Sequence, residues 1–380
     1  MGAKAVHEQV VVVCGASSGI GRETAKRFAR AGAKVVAAAR SDEGLETLEQ
    51  EVRAEGAEIF TVHADVTRYT DMEMLAAAAV ERYGRIDTWA HVAGASAFGY
   101  FTDLTPADIA QTVNVDLIGF AYALKVAIAP LQADGGGTFI AVSSVAARRS
   151  LPLLNIYSAA KHGVDGLVDA VRLELRHQKI PVKLVQVMPS TINTPFFNNA
   201  RTEMGVKPMG LPPFYPPYVV ADTIIYAAAH PMREVLVGGV GKVLALSQRL
   251  SPRLTDAIVG PMALSVPGQK TDEPKSPDDA NTLFDAERSD NRVEGDFKAM
   301  TQPGSLFTWF DTHPRARVAA LACAAVGAVA LSRRNGNGKP ETNGIQSANG
   351  TTDTYDTQAT QNLDDAEPSH LAEPVVKTIV

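Results

Sequence analysis

From Val10 to about Val240 the chain alternates short apolar, β-branched runs with longer stretches of helical period, and this alternation limits the fold more than any other feature. Repeated strand-helix-strand units predict parallel strands whose sheet is covered on both faces. The strand candidates are VVVVC (10–14), KVVAAA (34–39), EIFTVHA (58–64), IDTWAHV (86–92), GTFIAVS (137–143), VKLVQVM (182–188) and EVLVGG (234–239). Helices are expected over 21–31, 43–55, 71–83, 109–129, 157–177 and 218–229. Thr105-Pro106 reads as an N-cap followed by a proline at the first helical position. The expected fold is one doubly wound α/β domain, a three-layer α/β/α sandwich with right-handed crossovers, over residues 1–265.

Beyond that point the pattern stops. Residues 266–306 contain PGQKTDEPKSPDDAN, acidic, Pro-containing and poor in large apolar side chains, which predicts a linker without a core of its own. Residues 307–334 hold the apolar run VAALACAAVGAVAL (318–331), bracketed by Arg315, Arg317, Arg333 and Arg334. A short helix is expected there, touching a membrane or packing on protein, because fourteen residues reach only about 21 Å against a hydrocarbon core of about 30 Å. Residues 335–380 are Asn/Gly/Thr-rich and expected to be disordered.

The net charge of −6, without a Lys/Arg-dense block, speaks against a grip on nucleic acid phosphates. Two cysteines, Cys14 and Cys323, build no disulfide framework and no metal site. With no signal-length apolar stretch at its start, the chain is expected in the cytoplasm, associating with a membrane through 318–331 if at all.

Directly after the first strand candidate stands GASSGIG, whose Gly15, Gly19 and Gly21 open a helix. Such glycines permit a tight turn and let backbone approach a pyrophosphate, whose charge sits at the helix N-terminus. Gly15, Ser17, Ser18, Gly19, Ile20 and Gly21 are the contacts expected from this loop. At the end of the second strand an NAD site would place a carboxylate on the ribose 2′-hydroxyl, yet this chain has Ala39 followed by Arg40. A guanidinium binds a 2′-phosphate that a carboxylate would repel, so NADP(H) is the expected cofactor.

The segment SSVAARRSLPLLNIYSAAK places Tyr157 and Lys161 four apart at a helix start, on one face and one turn from each other. Ser144 lies thirteen residues before the tyrosine, at the end of the fifth strand. Carbonyl reduction needs a proton donor within hydrogen-bonding distance of the carbonyl oxygen. A phenol with an ammonium beside it suits that task, because the ammonium favours phenolate. Alternation along the strand turns the neighbouring Ser143 to the other face.

The glycine spacing, three residues and then one, together with Tyr-x-x-x-Lys and its upstream Ser, resembles the short-chain dehydrogenase/reductase family over about the first 245 residues. The resemblance implies a Rossmann-like oxidoreductase that moves a hydride between NADP(H) and a carbonyl or secondary alcohol. It makes Tyr157 the acid/base, lets Lys161 also hold the nicotinamide ribose, and puts Ser144 on the substrate oxygen. Asn114, in VNVDLIGF, matches the asparagine that holds a water in the family's proton relay. Asp65 and its neighbour Val66 fall at the adenine, and Pro189 and Thr194, in MPSTINTPFF, at the nicotinamide. A homodimer or homotetramer through the two long helices from about Ile109 and from Tyr157 is implied as well. Two departures stand out: Ser190 replaces a usual glycine, and His91-Val92 replaces a usual Asn-Asn. With no Cys/His/Asp cluster beside it, His91 reads as a structural histidine.

Residues 196–218, FFNNARTEMGVKPMGLPPFYPPY, are expected to cover the substrate with apolar walls, which suits a small hydrophobic ketone, aldehyde or secondary alcohol. A non-catalytic, redox-sensing module that only holds NADP(H) is the rival reading. The presence of all four catalytic positions favours the enzyme. The same enzyme tethered to a membrane surface is a third reading, compatible with the first.

Overall fold

The computed structural model describes residues 3–266, 268–286, 289–320, 322, 323 and 328. Most of the apolar run 318–331, and all of 335–380, lie outside the described residues. In chain order the strands are β1 (Val10–Cys14), β2 (Lys34–Ala39), β3 (Ile59–His63), β4 (Thr88–His91), β5 (Ala97–Phe98), β6 (Thr138–Val142), β7 (Lys183–Pro189), β8 (Arg201–Thr202), β9 (Val206–Pro208), β10 (Glu234–Val237) and β11 (Lys270–Pro274). The helices are α1 (Gly19–Arg30), α2 (Asp42–Ala54), α3 (Tyr69–Tyr83), α4 (Pro106–Val113), α5 (Gly119–Ala133), α6 (Asn155–His177), α7 (Phe196–Asn199), α8 (Pro217–Ala229), α9 (Gly239–Leu250), α10 (Pro252–Leu264) and α11 (Leu306–Thr312).

Seven strands form one sheet in the order β10-β7-β6-β4-β1-β2-β3. Every neighbouring pair is parallel, with Cys14 level with Ala38 on one side and His91 on the other. Such a sheet must be covered on both faces, and the β-branched runs supply apolar side chains to both. One core, with Trp89, Phe139, Phe120 and Leu131, lies against α3, α5 and α6; the other, with Phe28, Leu48, Ile140 and Val185, lies against α1, α2 and α8. The chain leaves β1 toward β2 on one side and reaches β4 on the other. This switch point opens a crevice at the carboxyl ends of β1 and β4.

All seven strand candidates fall within two residues of observed strands. The Thr105-Pro106 signal also holds: the Thr105 hydroxyl accepts from the Asp108 amide at 3.1 Å, and the Asp108 carboxylate accepts from the Thr105 amide in return. The single helix expected over 109–129 is instead α4 and α5 joined by one wide π turn, Asn114–Ile118.

The reading of 266–306 as a linker is corrected. The compact unit runs on to residue 322. Strand β11 pairs antiparallel with β9, Leu283 is fully buried in the core against α5, and Phe297 stacks on Phe214 with ring centres 4.7 Å apart. Between β10 and β11, α9 and α10 also escaped the sequence reading. The inner side of α10, Val259 and Ala263, packs on Leu211, while Leu254, Ile258 and Met262 face outward and are exposed.

Candidate active site

The loop between β1 and α1 turns on Gly15, whose φ of +92° is a conformation that side chains disfavour. A Cβ there would stand 2.5 Å from the Ala93 amide nitrogen, and one on Gly21 would stand 1.9 Å from the Gly15 carbonyl oxygen. Only glycine lets these backbones meet. The result is a helix N-terminus facing the crevice with its first-turn amides unpaired within the helix. This cradle fits a pyrophosphate, which needs close backbone approach and amide donors.

One cavity of about 250 Å³ extends from this loop to the end of β7. Gly15, Ser17, Ser18, Gly19, Ile20, Gly21, Arg40 and Val66 line it, as do Ser144, Tyr157, Lys161, Pro189 and Thr194, the last so near Gly19 that a Cβ on that glycine would stand 3.1 Å from the Thr194 Cβ. Of the contacts expected from the sequence, Asp65 is not part of this lining. Its Oδ1 accepts from the amide and hydroxyl of Thr67, at 2.9 and 2.8 Å. Beyond the tyrosine the walls turn apolar, with Phe98, Leu151, Leu154, Phe196, Met209 and Leu211. The Phe196 ring lies 5.6 Å from that of Tyr157.

Ser144, at the end of β6, accepts from the Ala146 amide and thereby caps the short turn that leads toward α6. Tyr157 and Lys161 project from the first turns of α6, with Lys161 Nζ 5.3 Å from the phenol ring centre. Burial pushes the Tyr157 phenol above its ordinary range, outweighing the Lys161 ammonium and the Ser144 hydroxyl that favour phenolate. The sequence argument had the ammonium winning. The folded chain therefore favours the protonated phenol. Ser143 turns away, as alternation requires, and donates to Asp165 at 2.8 Å.

The assignment of Asn114 is overturned. Asn114 faces solvent on the wide turn, whereas Asp116 is 1% exposed and brings Oδ1 to 3.4 Å from Lys161 Nζ. Burial raises the Asp116 carboxyl to about 6 against the pull of Lys161. Burial also works against the Lys161 ammonium, but Asp116 and Tyr157 more than offset it and hold Lys161 above its ordinary value. Sequence reasoning missed Asp116, although an acidic residue inside the apolar stretch VNVDLIGF was a visible signal that a buried charge sought a partner.

His91 ends β4 fully buried, edge-on to Phe120 and stacked on Phe139. Burial and the nearby Lys161 charge push it down to about 3, so it stays neutral and belongs to the core. Cys14 ends β1 beside it; burial pushes its thiol up to about 12, which leaves it unreactive. Among the described residues no group of three His, Cys, Asp or Glu side chains could hold a metal.

Comparison with known proteins agrees with this geometry. A family model described as short chain dehydrogenase matches residues 9–205, from β1 to just beyond β8. The chain belongs to the short-chain dehydrogenases. An uncharacterized oxidoreductase of Bacillus subtilis is 34% identical over 285 residues, covering 74% of this chain and 80% of that one. Sepiapterin reductase of Chlorobaculum tepidum is 32% identical over 60% of this chain and 93% of its own. Among solved structures, an actinorhodin polyketide ketoreductase with NADPH superposes with a TM-score of 0.55 at 28% identity, covering 63% of this chain and 99% of that one. This short-chain dehydrogenase is thus an oxidoreductase with a nucleotide-binding Rossmann sheet.

Proposed function

We propose that this short-chain dehydrogenase uses NADP(H) to interconvert a carbonyl and a secondary alcohol on a small, hydrophobic substrate. The observation that carries the reading is one cavity with Arg40 at its polar end, Ser144, Tyr157 and Lys161 together at its middle, and aromatic and aliphatic walls beyond them. Arg40 and the Ile20 and Gly21 amides would hold the phosphates, and Lys161 and Thr194 the nicotinamide end. When bound, the nicotinamide exchanges a hydride with the substrate carbon. Ser144 orients the substrate oxygen, and Tyr157 donates its proton to that oxygen or takes one back. The phenol gives its proton in carbonyl reduction and, as phenolate, takes one back in alcohol oxidation. Asp116 adds to the groups that hold the Lys161 ammonium, and the charge on Lys161 limits how far burial can raise the phenol. Apolar walls admit a ketone or aldehyde without phosphate or carboxylate groups.

Support for NADP(H) over NAD(H) is the pairing of Ala39 with Arg40 at the end of β2, in line with the NADPH of the actinorhodin polyketide ketoreductase structure. Calorimetric titration with NADPH and NADH tests it, followed by a screen of apolar ketones with the preferred nucleotide. NADPH is expected to bind at least about tenfold more tightly, a difference of about 1.4 kcal/mol, and Arg40→Met to erase the preference. Equal binding of both nucleotides by the native chain would remove Arg40 from the site.

A further inference from the structure

The polar end of the cleft has a wall that belongs to none of the family's matched residues. The stretch after β11 returns across α1 and α2, and three of its backbone or side-chain groups meet the elements that hold phosphates. The Arg292 carbonyl accepts from the Gly19 amide at 2.9 Å, and the Thr282 carbonyl accepts from Arg40 Nη2 at 2.5 Å. Asn291 Oδ1 sits beside Ser41 and so close to Gly44 that a Cβ there would meet it at 2.7 Å. Thr282 and Ser289 also line the cavity itself.

From these contacts we infer that Thr282, Ser289, Asn291 and Arg292 form a clasp over the adenosine and pyrophosphate half of the cofactor site, one that must lift for the nucleotide to enter or leave. The inference rests on the NADP(H) reading above. It is a clasp and not a plug for two reasons. Of the first-turn amides of α1, Arg292 takes only that of Gly19, leaving Ile20 and Gly21 for an anion. Of the five donors on Arg40, Thr282 takes one, which fixes the guanidinium and leaves the rest for a 2′-phosphate.

Its attachments make lifting feasible. Leu283 is pinned in the core, with its carbonyl accepting from Gln111 at 3.1 Å. At the other end the Gly295 and Phe297 amides donate to the carbonyl and side-chain oxygen of Asn193. Between these anchors Ser289, Asn291 and Arg292 meet the cleft through polar groups, and among the described residues there no large apolar side chain is buried. Segments of that kind open locally far more readily than core strands.

The test is stopped-flow release of NADPH from the full chain, chased with excess NADP⁺, in the native protein, Leu283→Ser and Asn291→Ala. Circular dichroism checks that both variants are folded. Calorimetry supplies the equilibrium constants for NADPH and NADH. Release is expected to speed up about tenfold or more in Leu283→Ser and several-fold in Asn291→Ala, with most of the affinity change in the off-rate. NADPH should lose more affinity than NADH in Leu283→Ser, because Arg40 loses its tether. Release rates within twofold of native in both variants, or tighter binding in either, would overturn the clasp. If the native chain binds no nicotinamide nucleotide, the functional reading itself falls, and the clasp with it. Native binding with unchanged variants defeats the clasp alone.

Discussion

The two walls of the cleft are held by different means. The wall from residues 9–205 stands on a seven-stranded sheet with a packed core on each face, and Ser144, Tyr157 and Lys161 come from a strand end and a helix start. The wall from 268–302 has no core of its own. It is fastened by one buried leucine, one stacked phenylalanine, and ion pairs such as Lys207 with Asp296 at 2.8 Å. The first can hold reacting atoms in place, because its side chains are locked by dense packing. The second can close a site but must give way easily. Chemistry should therefore reside in the first wall and access in the second.

The largest effect expected from that division is in Tyr157→Phe, which removes the acid while keeping the ring packed against Phe196. Carbonyl reduction should fall about a thousandfold with NADPH affinity unchanged, measured by turnover beside fluorescence titration. Activity within tenfold of native would take the proton donor away from the first wall.

Next in size is a displaced pH profile. The Asp116 carboxylate adds to the forces that hold the Tyr157 phenol high, so its removal makes phenolate easier to form. Asp116→Asn should move the acid limb of alcohol oxidation, which needs phenolate, toward lower pH. A purely structural role would lower the rate at every pH without moving the limb.

The smallest effect is expected in the second wall. Phe297→Ala removes the ring stacked on Phe214 and should weaken the local hold of 268–302 by about 1–3 kcal/mol. Proteolytic cleavage within that stretch should accelerate while the main melting transition barely shifts. A matching fall in global stability would show that the two walls unfold as one, erasing the contrast between them.

How much of this was legible follows the same division. Periodicity reports side chains that alternate between core and solvent, so the sheet, its strands and the glycine loop were readable to within two residues. The contacts of Thr282 and Arg292 with Arg40 and Gly19 are made through carbonyls, which every residue possesses, and no composition reveals them. Asn114 failed for another reason: family spacing selects one residue, but the π turn at 114–118 aims Asp116 at Lys161 and Asn114 at water. The side chain that reaches the lysine depends on how the turn is wound, which a residue count does not contain. Burial of Tyr157 was likewise invisible to an argument from neighbours alone.

The distance along the chain between the cleft's two walls has a consequence for the order of assembly. Arg40 and the carbonyl that fixes it lie 242 residues apart. As the chain leaves the ribosome, β1 emerges well before its sheet partner β4, which begins at Thr88, and Arg40's carbonyl partner comes far later. Contacts so distant in sequence form slowly, because the loop must close before they reward it. The nucleotide cradle is thus completed long after it is begun, and the nascent chain carries its glycine loop half-built while the residues between Arg40 and Thr282 are added.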